Sequence, residues 1–175
     1  VLCLGIAGPL LVFVDAGVFS FTYPALIKHG HDQEHDAGRA KVRRMLFQTL
    51  ALSAAFGIVS WLLLPYLLDW INNPVYKNAI EWYPWLFMAM AINAIGMVPH
   101  YALYARGVDK PIIYSHMAAL MVFVLSTWAL SKTHSALAVP LGLNVSFSLI
   151  LAWKTLAYRQ LNRTTAKASD AISLI

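Results

Sequence analysis

Residues 45–68 read MLFQTLALSAAFGIVSWLLLPYLL, 24 positions without an Asp, Glu, Lys or Arg. At 1.5 Å per residue, a helix of this length reaches about 36 Å, enough to cross the roughly 30 Å hydrocarbon core of a bilayer. Only a helix can do this with a single segment, because it pairs its own backbone groups where no water is available. The segment therefore predicts a membrane-spanning helix.

The rest of the 175-residue chain supports that reading. Hydrophobic residues make up 59% of it and charged residues 12%, about half the charged share of a soluble domain. Disorder, collagen-like repeats, coiled coils and an ordinary water-soluble globule are all excluded. A chain this small cannot bury so much apolar side chain within itself, so the surplus faces lipid. Four further segments fit spans: 1–27, with Asp15 as its one charge, then 82–105, 111–131 and 133–153, with none. The expected fold class is all-α, a multi-pass bundle of about five transmembrane helices occupying 1–158, followed by a polar tail at 159–175 that frays. The first 27 residues open on Val1 with no Lys or Arg before Lys28, which reads as a membrane helix and not as the basic start of a secretory signal. They predict a chain that begins within or beside a membrane helix of something longer.

Orientation follows the basic residues. Lys28, Arg39, Lys41, Arg43 and Arg44 lie between the first two spans, Arg106 and Lys110 between the third and fourth, and Lys154, Arg159, Arg163 and Lys167 after the fifth. These eleven face only Lys77 and Lys132 on the other side. The asymmetry predicts the first and third connections and the C-terminus in the cytoplasm. Trp70, Tyr76, Trp82, Tyr83 and Trp85 then cluster at the outer interface, where aromatic anchors belong. A net charge of +5 fits this membrane rule better than a nucleic-acid surface. One cysteine, Cys3, excludes an internal disulfide and a zinc-type cysteine pair.

Polar residues within the spans are the functional candidates. A carboxylate near the middle of a span, as Asp15 is, costs free energy and marks either a function or a paired contact. Pro9 kinks its helix and frees a carbonyl, and Gly5 and Gly8 lie beside it, a combination typical of transporter helices. Asn93 and Asn144 read as interhelical bonds or as cavity lining. His100 and His116 read as interfacial. Ser53 with Gly57, and Ala51 with Ala55, are spaced for close helix approach. Lys41, Arg43 and Arg44 suit anionic lipid or a pyrophosphate head group. The stretch from His29 to Asp36 interleaves His31 and His35 with Asp32, Glu34 and Asp36. It reads as a solvated loop, with a metal-using membrane transferase or hydrolase as the alternative.

Tyr23-Pro24-Ala25-Leu26 closes the first span, and a charged loop, a long span and an aromatic outer loop follow. His100-Tyr101-Ala102-Leu103-Tyr104-Ala105-Arg106-Gly107-Val108-Asp109-Lys110 then forms an inner turn. In this order the chain resembles the second half of a polysaccharide exporter of the multidrug/oligosaccharidyl-lipid/polysaccharide flippase superfamily. The resemblance implies twelve or more helices in two six-helix halves around a cavity of alternating access, with this chain corresponding to about helices eight to twelve. It further implies translocation of a lipid-linked polysaccharide precursor across the cytoplasmic membrane, with no covalent chemistry and no cofactor. Asp15, Asn93 and Asn144 would line the cavity. Membrane lipids, the lipid-linked oligosaccharide and an N-terminal half would be its partners. A small-molecule exporter of the same superfamily and a plain assembly subunit are the other expectations.

Overall fold

The computed structural model describes residues 2–31, 35–74, 76, 79–133 and 136–172. Five helices are long and apolar enough to cross a membrane, at Leu4–Pro24, Gly38–Ile71, Ile80–Tyr104, Lys110–Ser131 and Ala138–Thr165. The protein is an all-α, multi-pass membrane bundle, and no strand occurs among the described residues.

The first span is broken. Helices α1 (Leu2–Ala7) and α2 (Pro9–Val14) meet at Gly8, a π-turn follows at Asp15–Phe19, and α3 (Ser20–His31) completes the crossing. Pro9 has no N–H to continue the ladder across Gly8. In the π-turn the Ser20 N–H reaches back five residues to the Asp15 carbonyl, and the Ser20 hydroxyl donates to the same oxygen at 3.0 Å. Such single-turn bulges insert one residue and re-aim the side chains around them.

The remaining spans are α4 (His35–Ile71), α5 (Tyr83–Tyr104), α6 (Lys110–Ser131) and α7 (Ala138–Ile172), with a 3-10 turn at Ala79–Trp82 before α5. Helix α5 is central, packing on α1, α2 and α4 on one side and on α7 on the other, while α6 packs chiefly on α7. Leu10, Val14, Phe19, Met45, Leu64, Tyr83, Ala94 and Val98 form the core between the first three spans. Helix α6 shows the lipid-facing inversion plainly. It buries Ile112, Ser115 and Ala119 against α7 and exposes Ile113, Met117, Leu120, Met121, Val124, Leu125 and Trp128. With hydrocarbon outside, close packing of small residues drives the association instead of apolar burial. Gly107 (φ +68°) ends α5 in the left-handed conformation. Its N–H bonds to the Tyr104 carbonyl and that of Val108 to Leu103, so the turn into α6 needs no side-chain cap.

Two expectations change. Arg39, Lys41, Arg43 and Arg44 are part of α4 instead of a loop, because Arg, Lys and Ala are strong helix formers and the helix continues beyond the apolar stretch. The segment after residue 159 stays helical to Ile172 instead of fraying. There Asn162 accepts from two other elements: Arg106 donates to its Oδ1 at 2.6 Å and Arg39 to its carbonyl at 3.4 Å. The Arg106 guanidinium also lies over the Tyr158 ring, 5.3 Å from its centre.

Candidate functional site

Asp15 stands at the head of the π-turn, and its Oδ1 accepts the Tyr101 hydroxyl of α5 at 2.9 Å. The carboxylate is exposed all the same. With Asn93, Leu11, Val12, Phe19 and Met97 it lines a cleft of about 340 Å³ between the broken helix and α5. A carboxylate that is neither sealed against a partner helix nor placed beyond the spans is the feature expected of a site that meets a polar ligand. Below it the rings of Phe19 and Tyr101 (4.8 Å), Tyr23 and Tyr101 (5.2 Å) and Tyr23 and Tyr104 (5.9 Å) form an aromatic wall.

The structure thus joins two of the three expected cavity residues and separates the third. Asn144 is buried in α7, where its Nδ2 donates to the carbonyls of Trp85 and Pro140, both at 2.8 Å. It binds α7 to the start of α5, which is the interhelical role. Arg43 and Arg44 are exposed on α4 and Lys41 half-buried, and none of them lines the Asp15 cleft. Gly57 does admit close approach: a Cβ there would lie 2.7 Å from the Phe87 ring. Ser53 is buried on this side, whereas Ala51 and Ala55 face outward. Asp32 and Glu34, and the side chains of His29, His31, His35 and Asp36, lie outside the described residues. No group of three metal-binding side chains occurs among the described ones.

A second polar group was not anticipated as a group. Lys154, read from the sequence as the first basic residue beyond the fifth span, is 1% exposed and lies within α7. Its Nζ stands 3.1 Å from His100 Nδ1 on α5 and 3.1 Å from His116 Nε2 on α6. The amine can donate to both only when those two ring nitrogens carry no proton, which places the ring protons of the neutral imidazoles on His100 Nε2 and His116 Nδ1. Without Lys154, ten basic residues oppose two.

His100 and Tyr101 are consecutive on α5, with ring centres 5.6 Å apart. One faces α7 and the other the broken helix. No protein-family model, no curated protein and no solved structure matches this chain.

Proposed function

We propose that this chain is part of a membrane transporter, without enzymatic activity, that translocates a lipid-linked polysaccharide precursor across the cytoplasmic membrane, with its C-terminus in the cytoplasm. One observation carries the reading: Asp15, twelfth of the 21 residues of its span, sits exposed in an open cleft at a break in that helix. Broken helices with polar groups near the bilayer midplane are how transporters bind cargo. A cleft open at the protein surface also suits a cargo whose lipid tail stays in the bilayer while its polar head passes. The aromatic wall of Phe19, Tyr23, Tyr101 and Tyr104 offers stacking faces for sugar rings. Lys41, Arg43 and Arg44, at the start of α4, would meet the pyrophosphate and anionic lipid.

The cleft volume favours a second reading. About 340 Å³ is the size of a small-molecule pocket, so export of a small polar molecule is the alternative. One experiment separates them. The full-length protein is reconstituted in liposomes, and transbilayer movement of a polyprenyl-pyrophosphate-linked sugar is followed with wild type, Asp15→Asn and Asp15→Ala. The expected result is at least a tenfold loss with Asp15→Ala. Unchanged movement in both variants at equal protein levels refutes the role of Asp15. Wild-type protein that moves free sugars or organic cations but not the lipid-linked probe establishes the alternative.

A further inference from the structure

We propose that Lys154, His100 and His116 form one proton-binding site, and that taking up a proton there releases α7 from the inner ends of α5 and α6. Three nitrogen bases from three helices converge on a point where the Lys154 side chain is almost fully enclosed. A proton needs no cavity to bind there. As an ammonium, Lys154 has donors only, so at 3.1 Å from each ring it donates to both imidazoles when they are neutral. A proton added to His100 Nδ1 or His116 Nε2 turns that acceptor into a donor and sets it against the Lys154 amine at 3.1 Å. Two donors cannot share that contact, and an ammonium beside an imidazolium repels it. The three-helix junction therefore has a closed state, with both imidazoles neutral, and an open state after protonation.

Access and surroundings fit this use. His116 is exposed and lies six residues after the start of α6, so a proton from the adjoining aqueous phase meets it first. The groups facing the site can be named on each element. Helix α5 presents Tyr101 and Tyr104, whose rings lie beside His100, and Arg106 beyond them. The turn before α6 presents Asp109, the carboxylate that acts electrostatically on His100. Helix α7 presents Tyr158, one turn past Lys154, its hydroxyl buried without a hydrogen-bond partner among the described residues. Among the described residues no carboxylate is hydrogen-bonded to Lys154, His100 or His116, so a second positive charge in the group is opposed only by the Coulombic pull of Asp109.

The test uses the full-length protein in lipid nanodiscs. Cys3, the one cysteine of this sequence, and any other cysteine of the full-length protein are replaced by Ser, and spin labels are attached at Ile113→Cys on α6 and Leu156→Cys on α7, both exposed positions. Between pH 8 and pH 5 the label separation is expected to grow by about 2 Å or more, the scale of a helix shift at an interface. In the His100→Gln, His116→Gln variant it should stay constant. A distance that ignores pH in the parent protein overturns the proposal, as does a pH response of equal size in the variant. Should that variant fail to fold, ¹⁵N spectra of the parent's histidines decide the matter. His100 and His116 must gain their protons across the same pH interval as the distance change, and titration elsewhere overturns the proposal. Neither readout requires transport, so this inference can fail while the transport reading survives, and the reverse.

Discussion

Gly142 on α7 sits where α6 comes closest, and replacing it with Ala tests whether that contact holds the fourth span in place. A Cβ built at 142 would overlap Thr127 Oγ1 and lie 3.4 Å from Thr127 Cβ and from Ser126 Oγ. Rotating Thr127 about χ1 puts either its methyl or its hydrogen where the hydroxyl stood, and only the second relieves the overlap, so Thr127 must leave its present rotamer for the one position that fits. Forcing a methyl into a packed contact costs about 1–3 kcal/mol. Ala in place of Gly within a helix returns about 1 kcal/mol. The net expectation for Gly142→Ala is a loss of up to about 2 kcal/mol, measured as a lowered midpoint in SDS unfolding of the purified full-length protein. Thr127→Ala alone should be near neutral, because its Oγ1 is buried with no hydrogen-bond partner among the described residues, so removing it breaks nothing. The double variant should recover at least half the loss, a coupling energy of about 1 kcal/mol, which is within the range for residues in contact. If Gly142→Ala gains the full helix-propensity stabilisation of about 1 kcal/mol, or the double variant is no better than the single one, the α6–α7 packing derived above is wrong.

Two further expectations concern the bundle and its orientation. Asn144→Leu removes the interhelical donation to Trp85 together with the one to Pro140 within α7, and should lower unfolding stability by about 0.5–1.5 kcal/mol, as buried side-chain hydrogen bonds in membranes do; an unchanged midpoint would deny α7 that anchor on α5. In a cysteine-free background, Asn72→Cys after α4 and Asp109→Cys after α5 flank α5, a single crossing, and both positions are exposed. A membrane-impermeant maleimide should reach them from opposite faces, with Asp109→Cys modified only from the cytoplasmic side. Labelling of both from one face would remove α5 as a span.

The number and order of spans were legible because hydropathy and charge gaps report directly on fit to a bilayer. Residues 45–68 carry that signal without any tertiary information. The same measure misplaced the ends. It started the second span at Met45 and ended the fifth before Lys154, because it scores lipid compatibility and not helix propensity. Arg39 to Arg44 and the segment to Ile172 are helical for local reasons that a hydropathy window does not weigh. Asp15 stood out because an acid within a span is rare, whereas its π-turn and the Tyr101 partner 86 residues away left no local trace. Lys154 was missed because basic residues at span ends are common. The available signal was its register: Asn144, Leu151, Lys154 and Tyr158 follow one another at helical spacing, so one face of α7 carries all four.

Helix α5 makes the two polar groups mechanically one. Consecutive residues on a helix project about 100° apart, so His100 and Tyr101 can address different neighbours from a single turn. His100 meets Lys154 on α7, while Tyr101 donates to Asp15 on the broken first span. Pro99, immediately before them, lacks the N–H that would bond the Ile95 carbonyl, so the ladder is weakest at this turn. A rotation of α5 about its axis below Pro99 carries both side chains together: it cannot relax the contact with Lys154 without also moving the hydroxyl held by Asp15. The backbone on the far side is equally ready to yield, since the π-turn already accommodates an extra residue and Pro9 interrupts the helix above it. On the proton-site proposal, Pro99 in α5 and the breaks at Pro9 and the π-turn that flank the cleft are the places where a local change at the Lys154 junction would be passed to the cleft that Asp15 lines.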